Sequence, residues 1–174
     1  MADADLVIRG GTVVDADGSR RADVAVADGV IVAVGEALSG DRELDAGGCI
    51  VGPGLVDLHA HLREPGKEEA ETVETGARAA ARGGFTAVVA MPNTTPAIDS
   101  ASVVREVQAL GRDALCAVHP AAALTVGRAG EQLTPMAELA DLGVRVFTDD
   151  GNGVQDDRLM RRAMEYAGGL PQDV

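Results

Sequence analysis

The sequence has 174 residues, a formal net charge of −13, 46% hydrophobic residues and 2% aromatic ones. That hydrophobic content excludes a disordered chain, and the acidic balance argues against nucleic acid or anionic membranes as partners. No apolar run reaches the roughly 18–20 residues that span a bilayer, and the acidic start "MADADLVIRG" lacks the basic segment of a secretory signal, so a cytoplasmic location is expected.

With so few aromatics, the core must be built from Val, Ala, Leu and Ile. Cys49 and Cys116 lie far apart and show no ligand spacing; they read as small, buried, apolar thiols of a reducing compartment. The first fifty residues read as β structure. "DLVIRGGTVVD" is a strand, a break at Gly10-Gly11 and another strand. "ADVAVADGVIVAVG" alternates around Asp28-Gly29, a hairpin signal. "RELDAGGCIVGPG" adds a short strand and ends in Gly-Pro-Gly. Residues 5–50 are thus expected to form a small sheet layer with one face buried.

After Gly54 the pattern changes to alternating strands and helices. "LVDLHAHL" (55–62) reads as a strand, and "EEAETVETGARAAARGG" (68–84) as a helix stopped by Gly83-Gly84. "FTAVVAMP" (85–92) is a second strand. "SASVVREVQALG" (100–111) is a second helix, with Asp99 or Ser100 as N-cap. "ALCAVHPAAAL" (114–124) holds a third strand. "TPMAELADLG" (134–143) is a third helix, with Thr134 as N-cap and Pro135 at the first helical position. "VRVFTDD" (144–150) is a fourth strand and "DDRLMRRAMEYAGG" (156–169) a fourth helix.

Four β-α units in succession predict a parallel sheet. An open doubly wound sheet and half of an eight-fold barrel both fit. No G-x-G-x-x-G follows a strand, so a dinucleotide fold has no support. The chemically interesting residues fall at strand C-terminal ends: His59, His61 and Arg63, then Asn93, then Asp149 and Asp150. That is where (β/α)8 barrels build their sites.

His59 and His61 stand at i and i+2 of a strand, so both rings point to one face and can converge on one ion. A carboxylate at the end of the fourth strand can supply a further donor and can bridge two divalent ions. Spacing does not choose between Asp149 and Asp150. Arg63 carries a fork suited to a carboxylate, and Asn93 an amide donor and acceptor. Asp57 is placed to orient a histidine or to cap its strand. His119, before Pro120, reads as a packed or surface residue, and Glu68, Glu69, Glu71 and Glu74 as a solvated helix face.

Together these residues resemble the dihydroorotases of the amidohydrolase superfamily. "VGPGLVDLHAHLREPG" is similar to the family's D-x-H-x-H-L-R-[DE]-P-G signature, with "GGFTAVVAMPNTTPAID" and "VFTDDG" resembling two further blocks in the right order. The resemblance implies an α/β fold: the N-terminal part of a (β/α)8 TIM barrel, residues 53–174, preceded by a β-sandwich segment, residues 1–52. It implies His59, His61 and Asp150 as metal ligands, two zinc ions in the complete site, and Arg63 and Asn93 as holders of the substrate carboxylate. The implied reaction is the reversible ring closure of N-carbamoyl-L-aspartate to (S)-dihydroorotate in de novo pyrimidine synthesis. Arg63 and the metal would supply the positive charge that an acidic protein needs for an anionic substrate. An allantoinase would usually show Asn at Arg63, and hydantoinases lack the H-L-R-x-P-G continuation.

The resemblance also places a fifth-strand histidine, a sixth-strand histidine and an eighth-strand catalytic aspartate beyond Val174. The chain is therefore expected to be an N-terminal fragment, inactive alone, of a protein that forms homo-oligomers. The alternatives are another cyclic amidase, or a non-catalytic dihydroorotase-like partner of aspartate carbamoyltransferase.

Overall fold

The structure is a computed structural model that describes residues 4–171 and 174. The chain divides into two compact units, Met1–Pro53 and Gly54–Val174.

The first unit is a five-stranded sheet. Its strands are β1 (Ala4–Asp15), β2 (Gly18–Ala27), β3 (Val30–Gly35), β4 (Gly40–Asp45) and β5 (Ile50–Val51), in the order β3-β2-β1-β4, with β5 also pairing β1. The break expected at Gly10-Gly11 is a bulge within one continuous strand. The β1–β2 register shifts between Ile8 and Gly11, and Gly10 takes φ +70°, a conformation other residues rarely adopt. Asp28 and Gly29 both have positive φ, as a two-residue hairpin turn requires. Val7, Ala4 and Ala25 form one small buried cluster of this unit, and Val13, Ala22 and Val24 another. Cys49 is exposed, contrary to the expectation for it. The turn closed by Cys49 N–H donating to Ala46 O leaves its side chain outside these clusters.

The second unit carries a parallel three-stranded sheet of β6 (Leu55–Ala60), β7 (Phe85–Ala90) and β8 (Ala117–Pro120), in that order. Helix α1 (Val73–Arg82) starts later than its glutamate-rich pattern suggested. Thr72 takes extended backbone and exchanges capping hydrogen bonds with Thr75, which ends the preceding turn and begins the helix. Its buried face, Val73 and Ala77, packs with Leu62, Val88, Ala90 and Cys116. Helix α2 (Ala101–Leu110) presents Val103, Val104 and Val107 to Ile98, Ala122, Leu139 and Val144. Val, Ala, Leu and Ile do dominate these cores.

Helix α3 (Met136–Asp141) is short, and its start differs from the expected one. Pro135 is its N-cap residue, and Thr134 donates its hydroxyl to Ala123 O and Leu124 O. Helix α4 (Asp157–Ala167) is capped by the Asp156 carboxylate, which accepts from Arg158 N and Leu159 N. No helix of the described residues is long and apolar enough to cross a membrane.

The expected fourth strand is reduced to one parallel bridge. Ala122 donates to Val146 O and accepts from Thr148 N, pairing it with Phe147, and no regular strand covers 144–150. Pro120 explains this. Ala121 N–H faces β7 and Ala122 N–H faces the 146–148 segment. By that alternation the position two before Ala122 should also donate to this segment, and proline has no N–H to give. Strand β6 is an edge strand bonded only to β7, and Leu55, Val56 and Leu58 are exposed.

Candidate metal centre

Strand β6 runs into the polar sequence His59-Ala60-His61, and alternation puts both rings on one side. Their centroids lie 5.1 Å apart at an interplanar angle of 70°. The Asp57 carboxylate accepts the backbone N–H of His59 at 2.9 Å, so Asp57 holds the main chain there and bonds neither imidazole. The third group arrives from the turn after the Phe147 bridge. Asp150 Oδ1 lies 3.0 Å from His59 Nε2, and Oδ2 lies 3.8 Å from His61 Nδ1. The Asp150 side chain is only 11% exposed, against 31% for His61 and 58% for His59. The cluster is therefore open to solvent on the His59 side and closed behind the carboxylate.

Asp149, the neighbour that spacing could not separate from Asp150, faces the other way. It is buried, and its two oxygens accept the Thr125 N–H and hydroxyl. His119 lies exposed on β8, outside the group.

The three residues can hold a metal ion: one ligand atom from each lies within 4.8 Å of the others. Tetrahedral donors bonded to zinc at about 2.0–2.1 Å stand roughly 3.3 Å from one another. The 3.0 Å between His59 Nε2 and Asp150 Oδ1 is close to that value. Two imidazoles and a carboxylate are also the donor types zinc takes in catalytic sites. The donor set therefore fits a divalent ion of that kind.

Asn93 follows β7, and its Oδ1 sits 3.0 Å from His61 Nδ1. With the proton on Nδ1, the asparagine carbonyl accepts it, and Nε2 keeps the free lone pair. Arg63 takes φ +64° and is half-buried, and among the described residues its side chain makes no hydrogen bond or ion pair. The two loops that carry Arg63 and Asn93 are joined directly. Thr95 N–H donates to Pro65 O at 3.0 Å, and a Cβ on Gly66 would come within 2.2 Å of Thr95 O. Glu64 turns the other way and accepts Val73 N–H at the start of α1, at 2.7 Å.

The structure thus draws His59, His61, Asp150 and Asn93 into one cluster and leaves Arg63 on a loop tied to that of Asn93. Sequence reasoning missed Thr125 and Arg128. Arg128 Nε donates to Asp149 O at 3.1 Å, and the same guanidinium bonds Asp150 O. No motif marks either residue; they come into play only through contacts between distant segments.

The family model described as dihydro-orotase-like matches residues 48–173. A dihydroorotase of Leifsonia xyli subsp. xyli is 52% identical over 171 residues, which is 95% of this chain and 38% of that protein. The chain spans about two fifths of the length of the curated relatives it matches. Among solved structures, an L-hydantoinase (dihydropyrimidinase) from Arthrobacter aurescens superposes with a TM-score of 0.80 at 22% identity, covering 95% of this chain and 39% of that one. That likeness concerns the fold, the opening β-α units of a (β/α)8 barrel after a β-sheet segment. The atrazine chlorohydrolase TrzN of Arthrobacter aurescens TC1, solved in complex with zinc, superposes with a TM-score of 0.52 at 25% identity, over 71% of this chain and 37% of its own.

Proposed function

Because the chain belongs to the dihydro-orotase-like family, we propose that it builds the β6–β7 wall of a zinc-dependent dihydroorotase site, which interconverts N-carbamoyl-L-aspartate and (S)-dihydroorotate in cytoplasmic pyrimidine synthesis. The observation that carries this reading is the convergence of His59 and His61, at the end of β6, with Asp150, from a turn far away in sequence. When bound, a zinc ion supplies Lewis acidity and a lowered pKa for water.

The chain's own residues do the rest. His59, His61 and Asp150 hold the ion, and Asn93 fixes the His61 tautomer through its carbonyl oxygen. Arg63 and the Asn93 amide group bind and orient the substrate carboxylate. An Arg fork matches a carboxylate in two parallel hydrogen bonds. It also places positive charge locally in a protein of net charge −13, where the overall field opposes an anion.

A hydantoinase-like activity is the competing reading, since the L-hydantoinase shares the fold. Arg63 separates the two, because a hydantoin ring carries no carboxylate for it to hold. Binding to the zinc-loaded chain, measured by calorimetry, tests this. Dihydroorotate should bind more tightly than hydantoin, and R63A should abolish the difference. Equal binding of both ligands by the unaltered chain would rule out the carboxylate-reading role.

A further inference from the structure

The chain has adjacent aspartates at the end of the 146–148 segment, and only one of them faces the histidines. The surroundings of the other explain why. Asp149 is 5% exposed, and both of its oxygens are taken by one residue. Thr125 N–H donates to Oδ1 at 2.9 Å and the Thr125 hydroxyl to Oδ2 at 2.5 Å. Thr125 is itself fully buried, and its Oγ1 accepts Gly130 N–H at 2.8 Å. Both oxygens of this carboxylate are thus committed to Thr125, and Asp149 lies outside the group formed by His59, His61 and Asp150.

The main chain of Asp150 is held as firmly. Its N–H donates to Thr148 Oγ1 at 3.1 Å. Its carbonyl, and that of Asp149, accept from the Arg128 guanidinium. Arg128 is in turn fixed by Asn152 Nδ2, which donates to Arg128 O at 3.1 Å. Anchoring the Asp149 carboxylate on Thr125 and pinning the carbonyls of both aspartates fixes the backbone of the turn that carries Asp150, so its carboxylate is left chiefly its side-chain torsions.

We propose that Thr125, Asp149 and Arg128 are positioning residues that hold the Asp150 carboxylate toward His59 and His61. This rests on the reading of His59, His61 and Asp150 as metal ligands. The expected consequence is a loss of metal affinity of about 10–100-fold when the support is removed, the range typical of groups that orient a ligand.

The test uses the 174-residue chain titrated with Co²⁺, followed by visible absorption, with far-UV circular dichroism to monitor the fold. T125V keeps the side-chain volume and removes the hydroxyl. It should bind Co²⁺ at least about tenfold more weakly and with an altered visible band, while T125S stays close to the unaltered chain. In a D150A background T125V should cause no further loss, because a residue acting through Asp150 has nothing left to position; a merely structural role would add its own loss.

Equal affinity and spectrum for T125V and the unaltered chain would overturn the positioning role and leave the metal reading in place. No Co²⁺ binding by the unaltered chain would overturn the metal reading and this proposal with it. If T125V loses its far-UV spectrum, R128M decides by the same comparison. Weaker binding with the fold retained supports the proposal, and unchanged binding overturns it.

Discussion

Asp150 Oδ1 stands 3.0 Å from His59 Nε2, and the other oxygen of the same carboxylate faces His61 Nδ1. An open strand end and a nearly buried turn meet there, so the group depends on the whole second unit being folded. If an ion is bound, each of the three donors contributes. H59A, H61A and D150A should each weaken Zn²⁺ or Co²⁺ binding by at least about tenfold, a loss of about 1.4 kcal/mol or more. Titration with either metal measures this, and unchanged affinity in all three variants would remove the site.

The described group contains one carboxylate, which is accounted for as a ligand, and no second acid. General acid–base catalysis needs a separately positioned proton carrier. The zinc-loaded 174-residue chain should therefore show no turnover of dihydroorotate by absorbance assay, even where it binds the ligand. Measurable turnover by the purified chain would contradict this assignment of Asp150.

Gly66 is the position where the Arg63 loop passes the Asn93 loop. Its φ of +100° and the 2.2 Å approach of a built Cβ to Thr95 O leave no room for a side chain. G66A should destabilise the second unit by about 1–3 kcal/mol, from backbone strain and the forced shift of Thr95. Urea denaturation measures the loss. Dihydroorotate binding should fall with it, while Co²⁺ affinity changes less, because the three ligands lie outside this loop contact.

Leu139 is fully buried in the cluster that joins α2 and α3 to Ala122 and Val144. Leu139→Ala should cost about 2–5 kcal/mol by urea denaturation, from lost burial and the cavity left behind. The same cluster supports the segment leading to Asp150, so metal affinity should weaken as that segment loosens.

In the first unit the Arg20 guanidinium bonds both oxygens of Asp15 and holds its carboxyl below the usual range. A lowered folded pKa means that the contribution to stability is present above the unfolded Asp value of about 3.9 and disappears as pH falls through the folded value. R20Q should move the Asp15 carboxyl back up toward its ordinary range, the Asp17 N–H still bonding it, and raise the acid midpoint of this unit slightly. Carbon-detected NMR titration of Asp15 reads the first effect. An unchanged titration would mean that Arg20 is not the cause. The pair is exposed, so the second effect should be small and should shrink in high salt.

Local patterns were sufficient for much of the fold. The Asp28-Gly29 turn demands positive φ, the Val103, Val104 and Val107 spacing demands a helix with one buried face, and Asp156 caps the helix it precedes. Expectations failed where a non-local partner decided the outcome. Thr134 resembled an N-cap until its hydroxyl found the Ala123 and Leu124 carbonyls. The segment 144–150 resembled a strand, but Pro120 at the end of the neighbouring strand could not supply the next ladder bond.

The same division runs through the site. His59 and His61 were readable as a pair because strand geometry alone puts i and i+2 on one face, whereas Arg63 and Asn93 were named as holders of the substrate carboxylate only through the motifs that carry them. The order of residues could not turn one of two adjacent aspartates toward the histidines. That choice belongs to Thr125, which holds the Asp149 carboxylate, and to Arg128, which pins the carbonyls of Asp149 and Asp150. Hydrogen bonds between segments distant in sequence exist only once the chain has folded, so the direction of Asp150 is a property of the tertiary structure.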